Sequence, residues 1–278
     1  MIEFQHVTKR YGMFVALNNV SFTVAAGAVT ALVGHNGSGK TTSLRLMVGL
    51  LVPDEGSVSV LGLTPQRQAL QVRQRISYLP DAPFATPHLT GLEHLQFHAD
   101  VYRQPEAVER ARELAERYRL GRVLDQPVRS YSRGMLQRLA LIRALMIDVP
   151  VLLLDEPFNA LDPLALALLA DDLKGRAAQG RCVLVSSHLL AMLRELAEEV
   201  LVLRRGQLVY SGPLADVDWS QQVPLWFDPS GDDEDEEGAD SDYEEEAESA
   251  EEEEEDDGGD SAGELPASRA YDERRSLR

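Results

Sequence analysis

Several residue types and sequence patterns are rare or missing in this chain, and each absence excludes a class of protein. Its 278 residues include one cysteine, Cys182, so no disulfide can form within the chain and a reducing compartment suits it. The apolar neighbours Val183, Leu184 and Val185 predict a small buried residue here and not a catalytic thiol. No apolar run approaches the roughly 18–20 residues that span a bilayer, and the start of the chain lacks the charged and apolar parts of a signal peptide. We therefore expect a soluble, cytosolic protein.

Lysine and arginine are absent from Asp228 to Glu264, a stretch that holds 22 acidic residues. The net charge of −19 is therefore not spread over the molecule, because residues 1–227 hold 22 acidic and 23 basic residues. A body so close to neutral gives no charge signal for nucleic-acid binding. The acidic stretch also has almost no apolar residues, so it cannot bury enough surface to offset the entropy of ordering. We predict that residues 228–278 are a disordered acidic tail.

Three of the 20 glycines lie in one pattern, Gly-His-Asn-Gly-Ser-Gly-Lys-Thr-Thr at residues 34–42. It fits G-x-x-x-x-G-K-[ST] and lies between a β-branched run, Ala28–Val33, and a stretch with helical spacing, Ser43–Leu51. A strand, a glycine turn and a helix start surround one anion with backbone N–H groups, so the pattern predicts a nucleotide phosphate site. Lys40 would reach the β- and γ-phosphates, and the Thr41 hydroxyl would bind Mg²⁺. The residues predicted to bind the nucleotide here are Gly34, His35, Asn36, Gly37, Ser38, Gly39, Lys40, Thr41 and Thr42.

An acidic pair follows a second apolar run. Val151–Leu154 is continuously apolar, as in strands buried on both faces of a sheet, and it is followed by Asp155 and Glu156. The strand would deliver Asp155 beside the phosphate loop, where it would hold Mg²⁺ through water. Glu156 would orient or deprotonate an attacking water. The alternative is a solvated turn that carries two acids without function, and the loop upstream favours the functional interpretation.

The order of the predicted elements gives an α/β core with two additions. Alternating strands near the N-terminus predict an antiparallel β subdomain, and the helical composition of residues 88–150 predicts an inserted helical subdomain. With one phosphate loop and no internal repeat, residues 1–220 are predicted to form one nucleotide-binding domain. The predicted strands are Ile2–His6, Val15–Val24, Ala28–Val33, Ser57–Leu61, Ile76–Leu79, Val151–Leu154, Cys182–Ser186, Val200–Leu203 and Gln207–Tyr210. The predicted helices are Ser43–Leu51, Glu106–Tyr118, Met135–Ile147, Leu164–Leu173 and Leu189–Glu199, and residues 10–12 are predicted to be a turn with an exposed tyrosine.

Six short motifs occur in a fixed order along the chain. They are Tyr11, the loop at residues 34–42, Tyr131-Ser132-Arg133-Gly134-Met135, Asp155-Glu156, Asn159-Ala160-Leu161-Asp162, and His188. In number and order they resemble the motifs of the nucleotide-binding domains of ATP-binding-cassette (ABC) proteins. The resemblance runs from about Ile2 to Leu214 and implies a P-loop ATPase core of the ABC type, with its antiparallel β subdomain and inserted helical subdomain.

The resemblance also implies a role for each motif. Tyr11 would stack on adenine, and Asp162 would belong to the D-loop beside the nucleotide. Ser132 and Gly134 lie in the signature, which in this family contacts the γ-phosphate of an ATP bound to a second chain. His188 would be the switch histidine. The implied catalytic residues are Glu156, His188 and Lys40.

Some of these residues also have a purely structural explanation. Tyr11 alone resembles any aromatic residue of a turn. Ser132 could serve only as the N-cap of the helix that begins near Gly134. His188 follows two serines at a strand end and could cap a helix. Family position favours the catalytic role for His188, and for Ser132 the two roles are compatible.

The chain departs from the family pattern at two motifs. Asp81, in Tyr-Leu-Pro-Asp, stands where the family has the Q-loop glutamine. The aspartate side chain is shorter than glutamine and is charged, yet it could reach Mg²⁺ or the attacking water. In the signature, Arg133 and Met135 replace Gly and Gln. Such variants resemble the ATPase subunits of two-component exporters. The implied metal ligands are Thr41, Asp155 and Asp81.

The resemblance implies an ATP- and Mg²⁺-dependent ATPase subunit of a transporter. Its implied partners are a second nucleotide-binding domain, from the same chain or a paralogue, and a transmembrane permease. The chain would be cytoplasmic and would lie at the inner face of the membrane only through that permease. Two alternatives stay open: a non-transport ABC ATPase acting on DNA or ribosomes, and a module that binds ATP without hydrolysing it. The transported substrate cannot be read from this chain.

Overall fold

The two sheets of the protein have different architectures. The computed structural model describes residues 1–82 and 85–226, and the predicted acidic tail at 228–278 lies outside these described residues. The strands within them are β1 (Ile2–Tyr11), β2 (Phe14–Val24), β3 (Val29–Val33), β4 (Glu55–Val60), β5 (Ile76–Leu79), β6 (Val151–Leu154), β7 (Cys182–Ser187), β8 (Glu199–Arg204) and β9 (Gln207–Pro213). The helices are α1 (Lys40–Met47), α2 (Ala69–Arg73), α3 (Gly91–Tyr102), α4 (Ala107–Arg117), α5 (Arg133–Met146), α6 (Pro163–Ala178), α7 (Leu190–Leu196) and α8 (Gln222–Trp226).

A three-stranded antiparallel sheet has the order β2-β1-β4, and a six-stranded sheet has the order β5-β6-β7-β3-β8-β9. The first five strands of the larger sheet are parallel, and β9 is antiparallel to β8. All side chains of β3, β6 and β7 are buried. β6 is continuously apolar and β3 and β7 are largely so, as strands covered on both faces require. The carboxyl ends of these strands meet at one edge, where parallel α/β sheets place their ligands.

Three helices fill the stretch in which the sequence predicts the helical insertion. α3 begins with a capping box, in which the Thr90 hydroxyl accepts from the Glu93 N–H and the Glu93 carboxylate accepts from the Thr90 N–H. α4 and α5 follow, and α5 has Ser132 as its N-cap. The side chains of α5 join one apolar core with those of β6 and α6. The predicted α/β fold with an antiparallel sheet and added helices is confirmed.

Several predicted boundaries differ from the observed ones. Tyr11 is the last residue of β1, paired with Phe14 and half-buried, so the predicted exposed turn at residues 10–12 was wrong in that respect. α7 stops at Leu196 because Glu199 joins β8, pairing in parallel with Thr30 of β3. α2 and the separate helix α3 were not predicted. In the part of the chain that the structure describes, every helix falls short of the length and apolarity that a membrane span requires.

Candidate active site

The phosphate loop connects β3 to α1, as predicted, and close packing requires two of its glycines, Gly34 and Gly39. Gly39 has a φ of 103° and is the N-cap of α1. A Cβ on Gly39 would lie 2.6 Å from the Ala16 carbonyl oxygen, and one on Gly34 would lie 2.3 Å from the Leu203 carbonyl oxygen. No side chain fits either position, so the loop can follow this path only with glycine there. Asn36 at the loop tip is exposed.

Lys40 points back into the loop that precedes it. Its ammonium donates to the carbonyl oxygens of Gly34, at 2.8 Å, and of His35, at 3.0 Å. The side chain is only 6% exposed, and this burial lowers the lysine pKa, an effect that the nearby Glu156 and Asp155 carboxylates partly offset. The site thus holds a nearly buried cation at the base of a glycine loop.

Asp155 follows β6 and is fully buried. Its Oδ1 accepts from the Ser186 hydroxyl at 2.5 Å. Burial raises the pKa of Asp155, and the Ser186 and nearby Thr41 hydroxyls partly offset this effect. Its Oδ2 is buried and has no hydrogen-bond partner among the residues described. The structure therefore places Thr41 and Asp155 together, with one carboxylate oxygen left to bind something else.

These oxygens suit Mg²⁺. The cation prefers hard oxygen ligands and is usually bound in nucleotide sites by one or two carboxylates together with substrate phosphates. A hydroxyl beside a carboxylate with one unpartnered oxygen fits that description. No group of three or more His, Cys, Asp and Glu side chains positioned to hold a metal occurs within residues 1–82 and 85–226, so a site made of carboxylates and histidines alone is not found there.

Glu156 contacts both predicted catalytic partners. Its Oε2 lies 3.0 Å from His188 Nδ1, and its Oε1 lies 3.6 Å from Lys40 Nζ, an ion pair too long for a hydrogen bond. Glu156 is 7% exposed and has a φ of 45°, a left-handed backbone conformation that is uncommon outside glycine. The three predicted catalytic residues therefore lie together at the carboxyl edge of the larger sheet.

Ser186 is the residue that sequence reasoning missed. Its hydroxyl donates to Asp155 Oδ1 and accepts from the Glu156 backbone N–H at 3.0 Å, so it supports both acids. It lies on β7, the strand that pairs with β6. The available signal was the serine pair immediately before His188, at the end of a buried strand.

Asp81 is exposed just beyond β5, and its Oδ1 lies 3.5 Å from the Asn159 side-chain amide. Its negative charge contributes to raising the pKa of Asp155, so the two carboxylates are within electrostatic range. The arrangement gives the site a third carboxylate at the position of the family's glutamine. Its predicted role as a metal ligand remains a prediction.

The signature residues lie at the start of α5 and pack on the loop that follows Glu156. Ser132 is exposed, and its hydroxyl accepts from the Met135 N–H at 3.3 Å, so the capping role is observed. A Cβ on Gly134 would lie 3.2 Å from the Ala160 carbonyl oxygen. The Gln137 amide donates to the Pro157 carbonyl at 3.1 Å.

The D-loop is attached to the same helix. Asp162 caps α6 by accepting from the Ala165 N–H at 2.8 Å, and its other oxygen pairs with Arg138 of α5. The structure thus brings together Ser132, Gly134 and Asp162 on one side of the molecule.

The ring of Tyr11 lies 5.8 Å from the Lys9 ammonium, and Thr42 is half-buried in the first turn of α1. Stacking of Tyr11 on adenine stays a prediction.

Known proteins resemble this chain in sequence and in structure. The family model described as "ABC transporter" matches residues 17–159. The Nod factor export ATP-binding protein I of Ralstonia nicotianae is 34% identical over 214 residues, which are 76% of this chain and 67% of that protein. The SkfA peptide export ATP-binding protein SkfE of Bacillus subtilis is 33% identical over 211 residues, which are 75% of this chain and 87% of that protein.

Two solved structures give the same picture. The structure of an ATP-binding subunit of an ABC transporter has a TM-score of 0.75 and 30% identity, covering 82% of this chain and 95% of that chain. A dimeric post-hydrolysis state of an ATP-binding cassette bound to ADP and Pi has a TM-score of 0.68 and 26% identity, covering 77% of this chain and 99% of that chain. ATP binding and ATP hydrolysis are the activities that these relatives support.

Proposed function

The chain belongs to the ABC transporter family of ATP-binding proteins, and on that premise we propose that it is the ATP-hydrolysing subunit that energises transport through a separate membrane subunit. The observation that carries the proposal is the contact of Glu156 with both His188 and Lys40 beside a glycine phosphate loop. A module that only binds ATP has no need of a buried carboxylate oriented by a histidine. Export is the process named for both curated relatives, and we propose it for this chain.

The catalytic roles follow from the positions of the side chains. Lys40 contacts the β- and γ-phosphates, since it is the nearly buried cation of the loop. Glu156 accepts a proton from the water that attacks the γ-phosphorus, and His188 holds the carboxylate by donating from Nδ1. The new bond joins the water oxygen to phosphorus, and the bond to the leaving ADP oxygen breaks. Catalysis here depends on positioning and charge, because phosphoryl transfer requires little covalent chemistry from the protein.

Thr41 and Asp155 are the residues that would hold Mg²⁺, with Asp81 as the third proposed ligand. When bound, the cation would neutralise charge on the phosphate oxygens and so assist transfer of the γ-phosphoryl group to water. The hydrogen bond from the Ser186 hydroxyl orients the Asp155 carboxylate. The remaining nucleotide contacts are proposed for Tyr11, Gly34, His35, Asn36, Gly37, Ser38, Gly39 and Thr42.

The complete ATP site is proposed to need two chains. Ser132 and Gly134 lie on an exposed helix start, and Asp162 lies beside them, fixed to α5. These groups would meet the ATP held by a second nucleotide-binding domain, of the same chain or a paralogue. The similar solved structure, a dimer of an ATP-binding cassette bound to ADP and Pi, supports this arrangement.

The membrane partner is proposed to be a transmembrane permease. The chain would then be cytoplasmic and would reach the inner face of the membrane only through this partner. We propose residues 1–220 as the nucleotide-binding domain, with its helical subdomain at residues 88–150, and residues 228–278 as an acidic tail.

A complementation assay tests the two-chain ATPase. Ser132→Arg places bulk and charge against the partner's nucleotide, and Lys40→Ala removes the chain's own phosphate contact. Each variant alone should release little phosphate from ATP. Mixing them should restore turnover, because a heterodimer contains one intact composite site. Dimers that form but stay inactive would contradict a composite site. Equal turnover in wild type, the two variants and their mixture would contradict the assignment of the ATPase to these residues.

The transport role is tested separately. The tagged chain should co-purify from solubilised membranes with a polytopic membrane protein, and the pair in vesicles should hydrolyse ATP at a rate that depends on Glu156. Exclusive recovery with DNA or ribosomes would instead support the non-transport alternative. Absence of phosphate release in every preparation, despite ATP binding, would support the regulatory one.

A further inference from the structure

We propose that Arg133 supplies a positive charge to the terminal phosphate of the ATP bound by the partner chain during hydrolysis. The inference rests on the two-chain site proposed above and adds a residue to it. Arg133 stands at a signature position where the family has glycine, so no role for its side chain comes from the family pattern.

Arg133 is exposed and is the first residue of α5, directly after the exposed Ser132. Its guanidinium makes no hydrogen bond or ion pair with the residues at 1–82 and 85–226. Two other arginines of this helical region are engaged: Arg138 pairs with Asp162, and the Arg110 guanidinium donates to the Met146 carbonyl at 2.8 Å. Arg133 therefore projects from the signature without a partner in the part of the chain that is described.

The position is electrostatically unfavourable for an arginine within a single chain. The N-terminus of a helix carries a partial positive charge, so a cation there is repelled, and α5 has no acidic residue in its first turn to compensate. Arg133 is exposed, so burial of its side chain does not explain why an arginine is at this position. An anion that binds at this helix start would be attracted both by the helix N-terminus and by the guanidinium. The anion would thereby offset the repulsion between these two positive groups.

The proposed partner site supplies such an anion next to Ser132. A guanidinium presents five N–H donors in a planar fork that matches phosphate oxygens. As water attacks the γ-phosphorus, charge is spread over its three equatorial oxygens while the bond to ADP breaks. A guanidinium that contacts those oxygens stabilises the transition state more than bound ATP, so it should act on kcat more than on KM.

Arg133→Gln tests the charge while keeping a long polar side chain. We expect kcat for ATP hydrolysis to fall by about tenfold or more, the size expected for one charged hydrogen bond, with KM changed by less than about threefold. Arg133→Lys should recover part of the loss, because it keeps the charge but not the planar fork. Arg112→Gln is the matched control: Arg112 is an exposed arginine of α4 outside the proposed site, and its variant should match wild type.

The trans geometry is tested by two heterodimers of the same composition. When Arg133→Gln and Lys40→Ala lie on different chains, the working Lys40 site faces a normal Arg133 and should turn over at the normal rate per site. When both lie on one chain and the other is wild type, the working site faces the glutamine and should be slow. Trapping of ADP with vanadate, a mimic of the transferring phosphate, should show the same difference without depending on turnover.

Equal turnover and trapping in the two heterodimers would overturn the inference. So would an Arg133→Gln variant with unchanged kcat, provided that its melting temperature and dimer formation match wild type. A variant that melts early is replaced by Arg133→Met, which also removes the charge, and trapping equal to that of wild type in both arrangements of this variant also overturns the inference. If the proposed function itself is wrong, wild type will form no ATP-dependent dimer. That result distinguishes failure of the proposed function from failure of the Arg133 inference.

Discussion

His188 Nδ1 and Glu156 Oε2 lie 3.0 Å apart, although 32 residues separate them in the sequence. The contact is possible because β6 and β7 are adjacent parallel strands whose carboxyl ends place Glu156 and His188 side by side. Glu156 has a left-handed backbone, a conformation that costs about 1–3 kcal/mol and that surrounding structure must maintain. Ser186, through the Glu156 N–H, is part of that structure.

Glu156→Gln should retain ATP binding and lose at least about a hundredfold in turnover, because glutamine is nearly isosteric but cannot accept the proton of the attacking water. The variant should accumulate as an ATP-bound dimer. Size-exclusion chromatography with ATP and a phosphate-release assay measure the two effects. Glu113→Gln, at an exposed position of α4, is the control and should behave as wild type. Turnover near the wild-type rate in the Glu156 variant would show that this residue is not the base.

Lys40→Ala should abolish measurable ATP affinity, because it removes the nearly buried cation of the phosphate loop. Isothermal titration with Mg²⁺-ATP measures the loss. Lys174→Ala, at an exposed position of α6, removes the same charge far from the loop in sequence and should bind normally. Equal affinity of the Lys40 variant and wild type would refute the phosphate site.

Ser186→Ala should reduce both stability and turnover. It leaves Asp155 Oδ1 without the hydroxyl donor and the buried Glu156 N–H without an acceptor, and such losses cost about 1–3 kcal/mol. Urea unfolding and phosphate release measure the two effects. Ser57→Ala, at an exposed position of β4, should change neither. If Ser186→Ala retains wild-type stability and turnover, the serine does not support the acidic pair.

The stability of the protein should fall in mild acid partly because of His98. Burial, with a smaller effect from Arg143, lowers the His98 pKa from 6.5 to about 3. Between these values the unfolded chain binds a proton that the folded chain does not, so the stabilisation from neutral His98 is complete above pH 6.5 and is lost as pH falls toward 3.

His98→Leu should therefore lose less stability than wild type between about pH 7.5 and about pH 5, as measured by urea unfolding at each pH. A parallel loss in both proteins would show that His98 does not titrate in this way. His88→Leu, at an exposed position, is the control and should follow wild type.

Cys182 should be inert in the folded protein. It is 1% exposed, and burial raises its pKa to about 11, so almost no thiolate is present at about pH 8. Iodoacetamide should label it only after unfolding, with one equivalent per chain. Ser57→Cys adds an exposed thiol and should react at once in the folded protein. Rapid labelling of native wild type would show that the region around β7 opens readily.

Local sequence patterns determined the elements that carry the chemistry. Ile76–Leu79 and Val151–Leu154 were predicted with the bounds that the structure has, because both segments are too short for a helix and are flanked by turn residues. The glycine pattern determined the loop for a steric reason, since no side chain fits at Gly34 or Gly39. Ser132 was predicted near the start of α5 because helix starts favour residues whose hydroxyl or carboxylate can cap the first turn.

The tertiary structure alone decided which of these elements are neighbours. The strand order β5-β6-β7-β3 leaves no trace in local periodicity, yet it brings Ser186 to Asp155 and His188 to Glu156. The half-buried position of Tyr11 likewise depends on pairing between strands. Hydrophobic patterns fix which face of an element is buried, but hydrogen bonds between elements depend on sheet order and register, which arise only when the whole chain packs.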